Sequence, residues 1–221
     1  MKDFFPVMMK SPLFSGIAQE DLGAMLACLG ACARRFSKGE VILAEGEPAA
    51  RLGMVLSGSV QVSRTDLSGN RSLLAILGPA QMFAEAFACA GVEVMPVSVS
   101  ALEETQVLLV DASRITHGCA AACGFHQRMI DNLMRILALK NLAANQKIEV
   151  ISRRTTREKL MTYLMLCAAE AGSSRFTIPF DRQALADYLE VDRSGLSAEI
   201  GKLRREGVLE CTRSSFSLLR M

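Results

Sequence analysis

The chain has 221 residues, 50% of them hydrophobic and 22% charged, a globular composition that excludes an intrinsically disordered chain and leaves room for a main core plus a second small domain. No apolar run approaches the roughly 18 residues of a membrane span, and the opening MKDFFPVMMKSPLF lacks a signal-peptide pattern, so the expectation is a cytoplasmic protein with no membrane partner, whose seven scattered cysteines are thiols. The net charge of +2 is unevenly spread: Lys and Arg outnumber Asp and Glu by 12 to 9 in residues 151–221 but not before them, which gives the last third a mildly basic footprint.

Residues 18–32 are predicted as a helix, from Leu22, Met25, Leu26 and Leu29 at helical spacing, with Ser15 as a cap. From Phe36 to about Val110 the texture changes. Short apolar runs are punctuated by Gly39, Gly46, Gly58, Gly69 and Gly78, and MVLSGSVQV reads as strand, glycine turn, strand. Many short strands at regular spacing predict an antiparallel, cupin-like roll or barrel.

Residues 124–151 are predicted as one long helix, with Ile130, Leu133, Leu137, Ala144, Ile148 and Ile151 near a three-four repeat. A helix of that length outruns a small roll, so one face is expected to meet the same helix of a second copy; the alternative is a single wide face buried in its own domain. The pattern breaks at SRRTTREKL, where Thr155 and Glu158 form a T-x-x-E capping box. The expected domains are 1–123, 124–152 and 153–221.

In the last of these, Asp181 to Leu189 is predicted as a helix, Glu190-Val191-Asp192 as a turn, and a second helix follows with Asp192 as its cap. GVLECTRSSFSLLRM alternates as two strands around a Ser-Ser turn. Helix-turn-helix plus hairpin is a winged helix. The second helix can enter the major groove, with Arg193, Ser194 and Ser197 near base edges beside the capping Asp192, and Arg193 suited to guanine. Arg182, Lys202, Arg205 and Arg213 are candidate phosphate contacts, and Gln183 is a further DNA-binding candidate. The alternative is a winged helix that binds protein, its charges merely solvated.

This order of helix, glycine-rich roll, long helix and winged helix resembles the Crp/Fnr family of bacterial transcription regulators over essentially the whole chain. The matching stretches are KGEVILAEGEPA, MVLSGSVQV, TTREKLMTYL and FDRQALADYLEVDRSGLSAEI. The resemblance implies an α+β fold made of a cyclic-nucleotide-binding-like roll, a long dimerisation helix and a DNA-binding winged helix. It implies a homodimer on a palindromic promoter site of double-stranded DNA, controlled by a small effector, with RNA polymerase as a further partner. It also implies motion at the Ser152–Thr156 hinge. The reader departs from the family pattern at Ser194, where many members have Glu, and at Ala198, where many have Arg, so a non-standard half-site is expected.

Family members that bind cyclic nucleotides read Phe-Gly-Glu and then an Arg-Ser or Arg-Thr pair. In QMFAEAFACAGVEVMPVSVS the Gly is Ala84, the Glu is Glu85 and the pair falls at Met95-Pro96. Without the Arg a buried cyclic phosphate has no counter-charge, so tight cyclic AMP binding is not expected, and Glu85 is read as a structural acceptor. What remains is an apolar lining of Met82, Phe83, Phe87, Met95, Val97 and Val99, suited to a small apolar effector or haem, or simply packed. Cys119, Cys123 and His126 have the i, i+4, i+7 spacing of a metal or redox site, with ordinary packing as the weightier alternative. Cys28 and Cys32 repeat the i, i+4 spacing. His117 and His126 are the two histidines a haem could use, and the Cys run that holds an iron–sulfur cluster in oxygen-sensing relatives is lacking. Two other classes compete: a cyclic-nucleotide-binding regulatory module, and a cupin-like metalloenzyme, which the lack of His in 36–112 opposes. No nucleophile–base pair or phosphate loop points to catalysis.

Overall fold

The structure is a computed structural model that describes residues 2–65, 71–116 and 124–219. It divides into two units, Met1–Ala138 and Leu139–Met221.

The first unit begins with short helical turns, among them α1 (Phe5–Met8) and α2 (Leu22–Cys28). Among the described residues eight strands follow: β1 (Cys32–Phe36), β2 (Val41–Leu43), β3 (Arg51–Ser57), β4 (Val60–Thr65), β5 (Arg71–Leu77), β6 (Met82–Phe83), β7 (Ser98–Ala101) and β8 (Thr105–Asp111). Helix α3 (Glu85–Ala90) lies between β6 and β7. After β8 come α4 (Ala112–Thr116) and the 28-residue α5 (Gly124–Ile151), which runs on into the second unit. The strands form two antiparallel four-stranded sheets, ordered β1-β8-β3-β6 and β2-β7-β4-β5.

The first sheet is covered on both faces, which explains its near-continuous apolar runs. Leu52, Met54 and Leu56 of β3 and Leu108 and Val110 of β8 pack outward against Phe5, Met8, Phe14, Leu22, Met25 and, from α5, Met129 and Leu133. The alternate residues Val55, Val107 and Leu109 pack inward with Phe36, Phe83, Val60 and Val99 from both sheets. Two glycines are demanded by this packing. A Cβ on Gly53 would lie 2.0 Å from the Phe83 ring, and Gly58, at φ +77°, turns β3 into β4 with the Glu104 carbonyl 2.5 Å from where its Cβ would be.

The predicted helix over 18–32 is corrected to Leu22–Cys28. The chain turns at Gly30, with φ 59°, and Cys32 already pairs with Leu109 in the sheet. Ser15 closes the turn Pro12–Phe14 instead of capping α2, whose first-turn neighbour Asp21 makes no side-chain cap.

In the second unit the end of α5 is followed by α6 (Thr156–Ala171), β9 (Arg175–Thr177), α7 (Arg182–Leu189), α8 (Arg193–Arg205), β10 (Leu209–Thr212) and β11 (Ser215–Leu218). The strands form an antiparallel sheet in the order β10-β11-β9. Leu160 and Leu164 of α6, Leu185 and Leu189 of α7, Leu196, Ile200 and Leu203 of α8, and Leu209 and Phe216 of the hairpin share one core with Val150 of α5. The capping box is complete: the Thr155 hydroxyl accepts from the Glu158 N–H and the Glu158 carboxylate accepts from the Thr155 N–H. The hairpin turns at Arg213-Ser214, not at the Ser-Ser pair, because Thr212 already pairs with Ser215.

Candidate DNA interface and effector site

Helices α7 and α8 are joined by a tight turn. Glu190 takes the left-handed conformation that ends α7, with φ 54°. Asp192 then starts α8: its carboxylate accepts from the Gly195 N–H at 2.8 Å and from the Ser194 hydroxyl. These two donors hold the Asp192 carboxyl below the usual carboxylate range, the hydroxyl contributing most. Asp181 caps α7 in the same way, through the Ala184 N–H at 2.8 Å. The buried Leu196, Ile200 and Leu203 fix which side of α8 faces the core, and so leave Arg193, Ser194, Ser197, Lys202 and Arg205 exposed.

The sequence-predicted contacts differ in their freedom. Arg193 and Ser197 lie on the outer face of the first turns of α8. Ser194, by contrast, gives its hydroxyl to Asp192, which makes it a part of the cap. Gln183 donates to Asp187 at 2.8 Å, and the half-buried Arg182 lies 6.0 Å from the centre of the Phe216 ring. Lys202 and Arg205 occupy the last turn of α8, where positive charge also suits the helix dipole. Arg213 sits at the tip of the wing with φ 53°.

Two residues that the sequence reading passed over hold this pair of helices. Arg157, in the first turn of α6, bridges to Glu199 at 3.4 Å and Glu206 at 2.6 Å, near the middle and the end of α8. Glu206 is thereby held below its ordinary range, first by the Arg157 hydrogen bond. Lys159 donates to the carbonyls of Leu189 at 3.1 Å and Glu190 at 3.4 Å, satisfying the open end of α7. The spacing of Glu199 and Glu206, two turns apart on one helix face, was the available signal.

In the first unit the predicted effector lining is divided. Met82 packs outward with the N-terminal helices, whereas its neighbour Phe83 lies inside the roll with Val99. Met95 and Val97 form a third cluster with Ala49, against which Phe87, Ala84, Leu43 and Val62 pack. Ala84, which precedes α3, has φ 61° and ψ 3°, a conformation glycine enters without steric cost. Glu85 opens α3 and is buried. Met95, where a phosphate-binding Arg is expected, is 1% exposed. Residues 72–113 contain no Lys or Arg at all. These residues do not fit a cyclic phosphate.

Cys119, Cys123 and His117 lie outside the described residues. His126 is buried, its Nε2 donating to the Arg114 carbonyl at 3.2 Å. Cys28 ends α2 and Cys32 begins β1, so they do not share a helical face. Burial, aided by the nearby Glu85, raises the Cys89 thiol above its ordinary range and keeps it protonated. Among the described residues no group of three His, Cys, Asp or Glu side chains is placed to hold a metal ion, and no helix is long and apolar enough to cross a membrane.

Residues 33–121 match the cyclic nucleotide-binding domain and residues 158–221 the Crp-like helix-turn-helix domain. A cyclic AMP receptor protein of Thermus thermophilus is 27% identical over 202 residues, spanning 91% of this chain and 89% of that protein. A CRP-like cAMP-activated global transcriptional regulator of Mycobacterium tuberculosis is 23% identical over 206 residues, with the same shares. The crystal structure of the Thermus thermophilus catabolite activator protein superposes with a TM-score of 0.56 at 26% identity, over 94% of this chain and 93% of that one. With a sensor roll and a helix-turn-helix matched in that order, and relatives aligned along nine-tenths of its length, the chain belongs to the Crp/Fnr family of transcription regulators.

Proposed function

We propose that the chain acts in the cytoplasm as a homodimer, paired through α5, that binds a palindromic double-stranded DNA site and is a regulator, not an enzyme. The observation that carries this reading is the N-terminus of α8: a capped first turn with Arg193 and Ser197 exposed on one side and Leu196 buried on the other. Such a turn fits the major groove, and Arg193 is the base reader. Lys202, Arg205 and Arg213 contact phosphates; Arg182 and Gln183 orient the entry to α7. RNA polymerase is the partner expected of a regulator bound at a promoter.

The proposed sensor domain is residues 1–123, followed by the α5 region 124–152 and the reader 153–221. Its effector is a small apolar molecule and not a cyclic nucleotide. Supporting this are the buried Met95, in an apolar cluster, and the lack of Lys or Arg across residues 72–113, because an unpaired buried phosphate charge costs several kcal/mol, on the order of the whole binding energy of a weak ligand.

Two titrations test the proposal. Selection of DNA from a random pool should return an inverted repeat with half-sites about one helical turn apart, bound weakly by Arg193→Ala. Recovery of no sequence preference would overturn the reader. Saturable binding of cyclic AMP at micromolar concentration would overturn the sensor reading and leave the reader intact.

A further inference from the structure

Counting along α5, the residues Ile130, Met134, Leu137, Asn141, Ala144, Ile148 and Ile151 recur at strict intervals of four and three. This is a coiled-coil seam of three heptads, with Met134, Asn141 and Ile148 in the first core position and Ile130, Leu137, Ala144 and Ile151 in the second. It differs from the sequence-predicted stripe at two places: Met134 stands where Leu133 was expected, and Asn141, which interrupts the apolar repeat, is counted in. Leu133 is 3% exposed and belongs to the core of its own unit, whereas Met134 beside it is 64% exposed. Ile148 is 59% exposed, and Asn141 and Ala144 are exposed as well. Asn141 is the polar residue of the seam, with three seam positions on each side.

We infer that Asn141 meets Asn141 of a second copy and sets that pairing as a parallel, in-register, two-stranded one; this rests on the reading that α5 is the dimer helix. The occupant follows from chemistry. An amide in an apolar seam is costly unless another amide meets it, and a parallel second copy in register presents the same amide at the same height. Asn141 is prepared for it. Its Oδ1 accepts from the Asn145 Nδ2 at 2.7 Å, one turn on, which leaves both N–H bonds of its own Nδ2 to donate. Sliding the pair by one heptad would set Asn141 against Met134 or Ile148. An antiparallel pair would set it against the Leu137 or Ala144 position. Either choice strands the amide.

The flanking charges agree. Lys140 and Lys147 occupy the position just before Asn141 and Ile148. In a parallel pair Lys140 faces the residue five places on in the other copy, Asn145, and not another cation. In an antiparallel pair the two lysines would face each other. A polar residue at this core position favours two strands over three.

The test is sedimentation equilibrium of the full chain over graded concentrations, for the parent and three variants whose altered side chains are exposed in the single chain. Asn141→Ile should lower the dimer dissociation constant about tenfold or more and admit species larger than a dimer. Asn141→Asp should raise it about tenfold or more, by setting two carboxylates face to face. Ile148→Glu should break the dimer whatever Asn141 does. If Ile148→Glu weakens the dimer while both Asn141 variants match the parent, the role of Asn141 is refuted and the α5 interface stands. If Ile148→Glu leaves the dimer intact, the interface itself is refuted.

Discussion

Replacing Gly53 by Ala tests whether the roll is filled. The new Cβ would fall 2.0 Å from Cζ and 2.2 Å from Cε2 of Phe83. Carbon atoms in contact sit about 3.5–4.0 Å apart, so the ring must retreat by roughly 1.5 Å. It has nowhere to go: Phe83 is 2% exposed and packed among Val55, Val99 and Leu109. Overpacking of this kind costs about 1–3 kcal/mol. With a urea dependence of roughly 1–3 kcal/mol per molar, the unfolding midpoint of the chain should fall by about 1 M. Phe83→Leu removes the clashing ring atoms. The double variant Gly53→Ala/Phe83→Leu should therefore cost less than the two single changes together, by about 1 kcal/mol or more. Urea unfolding followed by far-ultraviolet circular dichroism supplies all four midpoints. Additive costs, or a Gly53→Ala midpoint equal to the parent, would show that the ring does not occupy the roll. The interior would then be open, and the effector would have a seat there rather than at the Met95 cluster.

Arg193→Ala should weaken specific DNA binding by about 1–3 kcal/mol per half-site and relax the preference at one base, measured by fluorescence anisotropy on single-base variants of the selected site. Arg213→Gly should reduce the slope of log affinity against log salt by about one per half-site while raising stability, because Gly relieves the φ of 53°. Acid should destabilise the reader. The carboxyls of Asp192, Glu158 and Glu206 are all held below their ordinary values of 3.8, 4.5 and 4.5 by donors in the folded chain, first by Ser194, Thr155 and Arg157 respectively. Each contributes stability that is present above the ordinary value and is lost as pH falls through the lowered one. The melting temperature should therefore hold between pH 7 and about 5 and fall below that, with Arg157→Met showing a smaller acid loss; an unchanged melting temperature at pH 3.5 would count against these contacts.

The parts of this fold that were legible in the sequence are those with long or repeated signals. The glycine-punctuated strands, the uninterrupted 124–151 helix and the capped pair of helices after Asp181 each rest on several residues pointing the same way. The parts that were not legible depend on one residue or on the far side of the fold. Helix α3 has six residues, too few for a periodicity to show. The α2 prediction ran too far because Leu29 continues the helical spacing, while Gly30 takes a left-handed φ that no spacing reveals. Leu133 and Met134 fit the three-four repeat equally well; only the packing of the first unit takes Leu133 inward and leaves Met134 outside. The candidate lining was drawn from consecutive apolar residues, yet a strand turns successive side chains to opposite faces, so Met82 and Phe83 could not line one cavity.

The first turn of α6 is a better place to look for control of the reader than either recognition residue. Within five residues, Thr155 fixes the helix start, Arg157 bridges α8 at Glu199 and Glu206, and Lys159 closes the end of α7. Both helices of the reader are thus tied to one short segment at the start of α6. A mutation that loosens this tie should free α8 to turn against the rest of the reader. Arg157→Met should lower affinity for the selected site more than affinity for random DNA, because specific contacts need α8 held in one orientation and phosphate contacts do not. Equal losses on both DNAs would mean that Arg157 acts through overall stability or its own charge, and would remove the argument for a rigid reader.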